Sequence, residues 1–488
     1  MAVKWHGMRR NYRSDVTQRH YRTIANPHDA TPAALLPSAL RAVTGLAGPP
    51  QLNTPDTAVA ALDTVQPYLL TLMLRNIASD GFPFHDPHEP DVLSAPGCVI
   101  ASPSFDRHPS DVNQDYVFNW TRDSALTIME LHGAGLPAEA VSQTFADYVG
   151  FARLCQQNAP NIDLACYRID GQPRQWSSQS DGPALQTLAL LRLWDQLDPD
   201  SQQLATTVIE ANLGCLLDRY LGSTINLWEE VPGHSFFARA VQLRCFSEIA
   251  DNGMGLAVPD GLEKAAVALR QALDEHWNGT IYLSVLQETA DRAQHPLPER
   301  YDPNIDIVLA ALYGAVPVSD PRLLATAAAI RATWTDQQSD RRYPINDSDA
   351  ARGLGPLIGR YPNDVYDGDT ADPQLGGHPW PVCTAAFAEL YYRLASEVLS
   401  TGAVPADPLA TSFFDQVGVT ASTTPADAAG QLAAAGDRML AAILFHSDHY
   451  QLSEQFDGTT GYEKSVANLT WSYSAFLSAE RARRAAAR

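Results

Sequence analysis

Two adjacent carboxylates, Glu229 and Glu230, stand in the run Asn226-Leu-Trp-Glu-Glu-Val-Pro-Gly-His-Ser-Phe-Phe237, between the Trp228 indole and two phenylalanines. A carboxyl beside aromatic walls is partly desolvated, and desolvation favours the neutral form that a general acid must keep near neutral pH. Taken alone, the pair reads more simply as solvated acids at a helix start, where the macrodipole favours anions. A third carboxylate, Glu454 in Ser453-Glu-Gln-Phe-Asp457, follows 454 − 229 = 225 positions later. Only a closed fold can bring it to the first two.

Four further stretches hold residues suited to a sugar. Asp115-Tyr-Val-Phe-Asn-Trp-Thr-Arg-Asp-Ser124 sets Tyr116 and Trp120 beside Arg122 and Asp123. Aromatic planes fit the C–H faces of a pyranose, and guanidinium or carboxylate groups hold its hydroxyls. The plainer alternative is an Asp/Ser helix start beside a core tryptophan. In Trp176-Ser-Ser-Gln-Ser-Asp-Gly-Pro183, Trp176 can stack on a ligand or simply pack, and Asp181 can do no more than build a turn. Gly359-Arg-Tyr-Pro-Asn-Asp-Val-Tyr366 and His378-Pro-Trp-Pro-Val-Cys383 add Arg360, Asp364, Tyr366 and Trp380.

Other chemistries find less support. His85/His88 and His446/His449 have ligand-like spacing, but no HExxH or Cys/His set accompanies them, so no metal is expected. Gly233-His-Ser-Phe-Phe breaks the GxSxG pattern after its serine. Gly133-Ala-Gly135 lacks the third glycine and the preceding strand of a dinucleotide loop, and no cofactor is expected. A net charge of −22 argues against nucleic acid and anionic membranes as partners. Six cysteines without CxxC spacing read as buried free thiols. No apolar stretch follows the N-terminus and none approaches membrane-spanning length, so the expected protein is soluble and cytoplasmic rather than secreted, a monomer.

Positioning these residues falls to helices. Apolar spacing predicts twelve: about Thr57–Ala78, Arg122–Leu131, Ala138–Gln157, Pro183–Leu197, Ser201–Tyr220, His234–Ala250, Gly261–Glu275, Asn304–Tyr313, Pro321–Trp334, Pro381–Leu399, Ala426–Phe445 and Ala467–Ala487. Nearly every motif falls in the long loops between them, 105–121, 170–182, 343–380 and 450–465, as functional residues on long loops often do. The expectation is a single all-α domain over 1–488, with 1–56 a polar lead-in.

From about Cys98 to Tyr473 these motifs, in this order, resemble the catalytic domain of the glucoamylase family, which also includes glucodextranases and bacterial trehalases. The resemblance implies an (α/α)6 barrel and inverting exo-hydrolysis of α-gluco-oligosaccharides. It puts the general acid on Glu229 and the general base on Glu454. Tyr116, Trp120, Arg122, Asp123 and Arg360 would hold the terminal glucose, with Glu230 toward the leaving group and Ser465 near the base. Trp176, Asp364 and Trp380 complete the expected substrate contacts. Three departures stand out. Asn226 replaces the family's Asp before Leu-Trp-Glu-Glu, the Trp176 loop is shortened, and the loop from Tyr366 to Trp380 is longer. No starch-binding module is expected, which favours small oligosaccharides over granules. The alternatives are an α-1,6-glucosidase or trehalase of the same family and, from another class, a non-catalytic sugar-binding protein. Two carboxylates suited to opposite sides of one bond argue for the enzyme.

Overall fold

A computed structural model of the chain describes residues 55–104, 115–251, 254–368 and 377–487. The lead-in lies outside these apart from Pro55 and Asp56, as do parts of the loops 105–121 and 366–380.

Sixteen α-helices are described. In chain order they are α1 (Pro55–Ala61), α2 (Gln66–Leu74), α3 (Thr121–Gly133), α4 (Ala138–Asn158), α5 (Asp181–Leu193), α6 (Pro199–Arg219), α7 (Phe236–Asp251), α8 (Leu262–Asp274), α9 (Thr289–Gln294), α10 (Asp306–Tyr313), α11 (Pro321–Thr335), α12 (Pro344–Ala351), α13 (Pro381–Thr401), α14 (Thr411–Asp415), α15 (Pro425–His446) and α16 (Thr470–Ala486). Every one of the twelve expected helices is present. The first is split, because Pro67 supplies no amide donor and crowds the preceding turn, so the chain breaks after Ala61 and restarts as α2. It also ends at Leu74, beyond which Ile77 bridges to Val99 in extended backbone. The helices not foreseen, α9, α12 and α14, are six, eight and five residues long, too short for a periodic signal.

Six helices close an inner ring: α3 packs on α5, α5 on α7, α7 on α10, α10 on α13, α13 on α16, and α16 on α3. Outside them lie α2 on α16, α6 on α5 with α4 against α6, α8 on α7, α11 on α10 and α15 on α13. This is an (α/α)6 barrel. The two rings differ as burial requires. Helix α5 is buried on all sides, while α8 buries Leu262, Ala265, Ala266, Leu269, Ala272 and Leu273, one stripe at helical spacing.

Each outer helix returns the chain, so the inner six run in one direction with their N-termini at one end. Short antiparallel strands brace that end. They are β1 (Asn119–Trp120) with β2 (Cys166–Tyr167), β3 (Thr224–Ile225) with β4 (Pro232–Ser235) and β5 (Val285–Leu286), and β6 (Gln455–Phe456) with β7 (Glu463–Lys464). Because β1 runs directly into α3 and β4 into α7, they fix how the motif loops enter the ring.

Candidate active site

A cavity of about 360 Å³ opens at the N-terminal end of the inner ring. Tyr116, Trp120, Arg122, Asp123, Trp176, Glu229, Glu230, Arg360, Trp380 and Glu454 all line it, bringing together motifs from five separate loops. Asp364 does not line it. That carboxylate is buried one layer back, where both its oxygens accept from Arg360, at 2.7 Å from Nε and 2.6 Å from Nη2. Its part is to aim the guanidinium.

Glu229 sits on the turn between β3 and β4. Asn226, fully buried, builds that turn. Its Oδ1 accepts from the backbone N–H of Glu230 (3.0 Å) and Val231 (3.1 Å), and its Nδ2 donates to the Tyr301 hydroxyl. The departure from an acid at this position therefore lies in the framework of the loop. The turn leaves Glu229 itself at φ +65°, a left-handed conformation that non-glycine residues adopt at a cost of about 1–3 kcal/mol. Its carboxylate accepts from Arg122 Nη2 at 3.1 Å and from the Trp176 indole N–H. Arg122 also reaches Asp181 (3.4 Å) and Asp123 (3.6 Å) and donates to Gln179 (3.0 Å), so one guanidinium serves three carboxylates. Burial pushes the Asp123 carboxyl up to about 6 despite Arg122.

Glu230 points into a different set. It accepts from Arg360 Nη2 (2.8 Å) and from the Tyr361 hydroxyl (2.9 Å), while burial raises its carboxyl above the ordinary range. The Arg360 guanidinium lies over the rings of Trp228 and Trp380, 5.3 and 5.2 Å from their centroids. Trp228 in turn stacks on Trp471, another wall of the cavity.

Glu454 precedes β6 and is only 4% exposed. Three hydroxyls meet it: Tyr116 on Oε1 at 3.0 Å, Tyr366 on Oε2 at 2.9 Å, and Ser465 on Oε2. Burial raises this carboxyl, and the three hydrogen bonds oppose the rise by favouring its anion. The two tyrosine hydroxyls are also 2.8 Å apart. Each has one proton, so a hydrogen bond between them takes a donor from Glu454. Ser465 holds φ +60° and lies so close to Gly368 that a Cβ there would meet Ser465 Cβ at 2.1 Å. A side chain at 368 would displace the serine from the carboxylate.

Several buried polar atoms on the lining residues make no hydrogen bond: Arg122 Nε and Asp123 Oδ2, which face each other at 3.6 Å, Asp115 Oδ1, and the indole nitrogens of Trp380 and Trp471. Buried donors and acceptors without hydrogen bonds carry a desolvation cost. Among the described residues no group of three His, Cys, Asp or Glu is arranged to hold a metal ion.

The chain matches the profile of Glycosyl hydrolases family 15 over residues 70–481, most of its length. It belongs to that family. Similar curated proteins include the probable glucoamylase of Schizosaccharomyces pombe, 27% identical, with 83% of this chain and 88% of that one covered. Glucoamylase-1 of Arthroderma benhamiae is 29% identical, covering 86% of this chain and 68% of that protein. Among solved structures, Hormoconis resinae glucoamylase superposes with a TM-score of 0.70 at 25% identity, over 87% of this chain and 73% of its own. The glucoamylase of Saccharomycopsis fibuligera gives 0.72 at 22% identity, over 90% and 97%, and speaks for the fold. This family 15 chain is a glycoside hydrolase of the glucoamylase kind.

Some residues of the site carry little signal in the sequence. Tyr361, which stands behind the lining and donates to Glu230, is marked only by adjoining Arg360. Trp471 lies in Leu469-Thr-Trp-Ser-Tyr473 at the start of the last helix, where apolar spacing does not separate a cavity wall from the core. Arg174 gave no signal beyond its place in the Trp176 loop.

Proposed function

We propose that this enzyme removes single glucose units from the non-reducing ends of α-1,4-linked gluco-oligosaccharides and releases β-D-glucose by one displacement. The observation that carries this reading is that Glu229 and Glu454, 225 positions apart, line one cavity whose other walls are aromatic rings, arginines and acids. Glu229 acts as the general acid that protonates the glycosidic oxygen. Glu454 acts as the general base, and its three hydroxyl donors suit a group that must be an anion when it takes a proton from water. Arg122, Asp123 and Arg360 bind hydroxyls of the terminal glucose, and Trp120 and Trp380 provide apolar faces. The cavity is a pocket rather than a through-channel in this reading, so it takes a chain end.

The whole chain works as one catalytic domain on soluble oligosaccharides, as a monomer. Six free cysteines, five of them buried, fit a reducing compartment such as the cytoplasm. One similar protein, from Saccharomyces cerevisiae, is described as an intracellular sporulation-specific glucoamylase, 28% identical over 79% of this chain. No single helix among the described residues is long and apolar enough to cross a membrane.

Proton NMR of freshly released sugar, recorded before mutarotation, tests the mechanism. β-glucose from maltotriose is expected, and α-glucose would remove Glu454 from the role of base. Rates on maltose, isomaltose and trehalose test the linkage. Faster hydrolysis of isomaltose or trehalose would replace the α-1,4 reading by an α-1,6-glucosidase or a trehalase.

A further inference from the structure

Arg174, half-buried, lines the cavity and has no acidic partner among the described residues. Its guanidinium lies 3.8 Å from the centroid of Phe118, 4.4 Å from that of Trp176 and 5.8 Å from that of Trp120. No carboxylate among the described residues pairs with it, and its Nη1 is buried without a hydrogen bond. The other two arginines of the cavity are paired with carboxylates. Arg122 serves Glu229, Asp123 and Asp181, and Arg360 serves Asp364 and Glu230. Cation–π contacts hold Arg174 in place but do not neutralise it. Asp115 lines the same cavity, with one oxygen taken by His88 at 3.0 Å.

Position gives this cation a role. The deep end of the cavity is closed by Trp228, Trp380 and Trp471, all buried, with Arg122 and Arg360 beside them. Trp176 is 43% exposed, and its indole N–H donates to Glu229, so the Arg174–Trp176 pair lies outward of the acid. A sugar unit leaving past Glu229 meets Arg174 next. We propose that Arg174 forms an anion-selecting subsite for the leaving unit, so that the enzyme takes α-glucosides whose reducing-end unit carries a carboxylate or a phosphate. A planar guanidinium braced by aromatic rings can hold either oxyanion through charge-assisted hydrogen bonds. This inference rests on the proposed hydrolysis, in which Glu229 marks the scissile bond.

The test compares kcat/KM for maltose, maltobionate (a carboxylate on the leaving unit) and maltose 1-phosphate, for the wild type and for Arg174→Met and Arg174→Lys. Loss of a charge-assisted hydrogen bond should lower kcat/KM of Arg174→Met for the anionic substrates about tenfold more than for maltose. Arg174→Lys, which keeps the charge without the fork, should fall between. If only the carboxylate or only the phosphate responds, that anion is the one selected. Equal losses on all three substrates would make Arg174 a prop for Trp176 and overturn the proposal, as would no loss on any. Calorimetry of maltobionate with the wild type and Arg174→Met reads the same contact without turnover. Arg174-dependent binding in a protein that hydrolyses no α-glucoside would sink the proposed function and leave the anion subsite standing. Binding unaffected by Arg174→Met in an active enzyme would do the reverse.

Discussion

Glu229 meets a guanidinium and an indole, whereas Glu454 meets three neutral hydroxyls. The first is held by a permanent charge that it shares with Asp123 and Asp181, on a turn whose backbone is left-handed at the carboxylate itself. The second is buried more deeply and depends on hydroxyl rotors that can turn toward it or toward one another. A fixed cation fixes an orientation, while rotors let a group accept and release protons with little rearrangement. The supports behind them differ as well. Trp228, next to Glu229, donates to Asn304, and Asn226 reaches Tyr301, so the acid loop leans on the segment that leads into α10. The base leans on the β6–β7 hairpin and on the chain around Tyr366 and Gly368.

The strongest way to break this contrast is to neutralise each carboxylate in turn. Glu229→Gln and Glu454→Gln should each cut kcat on maltose by about 10²–10⁴-fold. On α-glucosyl fluoride, whose leaving group departs without protonation, Glu229→Gln should recover much of the lost rate and Glu454→Gln should not. The opposite pattern would exchange their roles.

The support of the acid loop gives the next effect. Asp306 is fully buried, accepts from Ser284 through one oxygen and leaves the other unpaired; burial pushes its carboxyl up to about 7. Asp302, which accepts from the Ser284 N–H at 2.9 Å, is likewise pushed by burial up to about 7. Both values lie above the unfolded value of about 4, so this contribution to stability is complete below about pH 4 and is lost as pH rises through about 7. The loss should amount to a few kcal/mol. It should appear as a Tm that falls between pH 5 and pH 8.5, and Asp306→Asn should flatten that fall. A Tm that holds level in the wild type would mean that these carboxyls are ionised at no cost.

Asp123 belongs to the acid's charge network without being the acid. Asp123→Ala should lower kcat/KM on maltose by about two orders of magnitude through lost hydrogen bonds to a glucose hydroxyl. A change within about threefold would take the residue out of the sugar subsite.

Ser465→Ala probes the rotor side. Removing a donor to the anion raises the Glu454 carboxyl, so the acidic limb of kcat/KM should move to higher pH, and the rate below that limb should fall about tenfold. An unmoved limb would mean that the tyrosines alone set its ionisation.

Asn226→Asp should have the smallest effect. An aspartate keeps both acceptor contacts to the loop N–H groups and adds a negative charge near the acid, so the alkaline limb should rise by up to about one pH unit. No movement would confine position 226 to building the turn.

Much of this molecule was written in the order of its residues. The twelve helices follow from apolar spacing, which survives folding because a helix buries the same stripe whatever it packs against. Motif residues such as Tyr116, Arg122, Glu229, Arg360 and Glu454 were recognisable by type and neighbourhood. What only the tertiary structure decided was where loop side chains point. Asp364 and Arg360 are four positions apart in one motif, yet one lines the cavity and the other stands behind it. Asn226 looked like a missing charge and became the keystone of a turn, because its partner Tyr301 lies 75 positions away. Arg174 had no local signal beyond its nearness to Trp176, since Phe118 meets it only once the chain around β1 and β2 is paired. Loops have no periodicity to betray their inward face, and their side chains are aimed by contacts that exist only once the ring has closed.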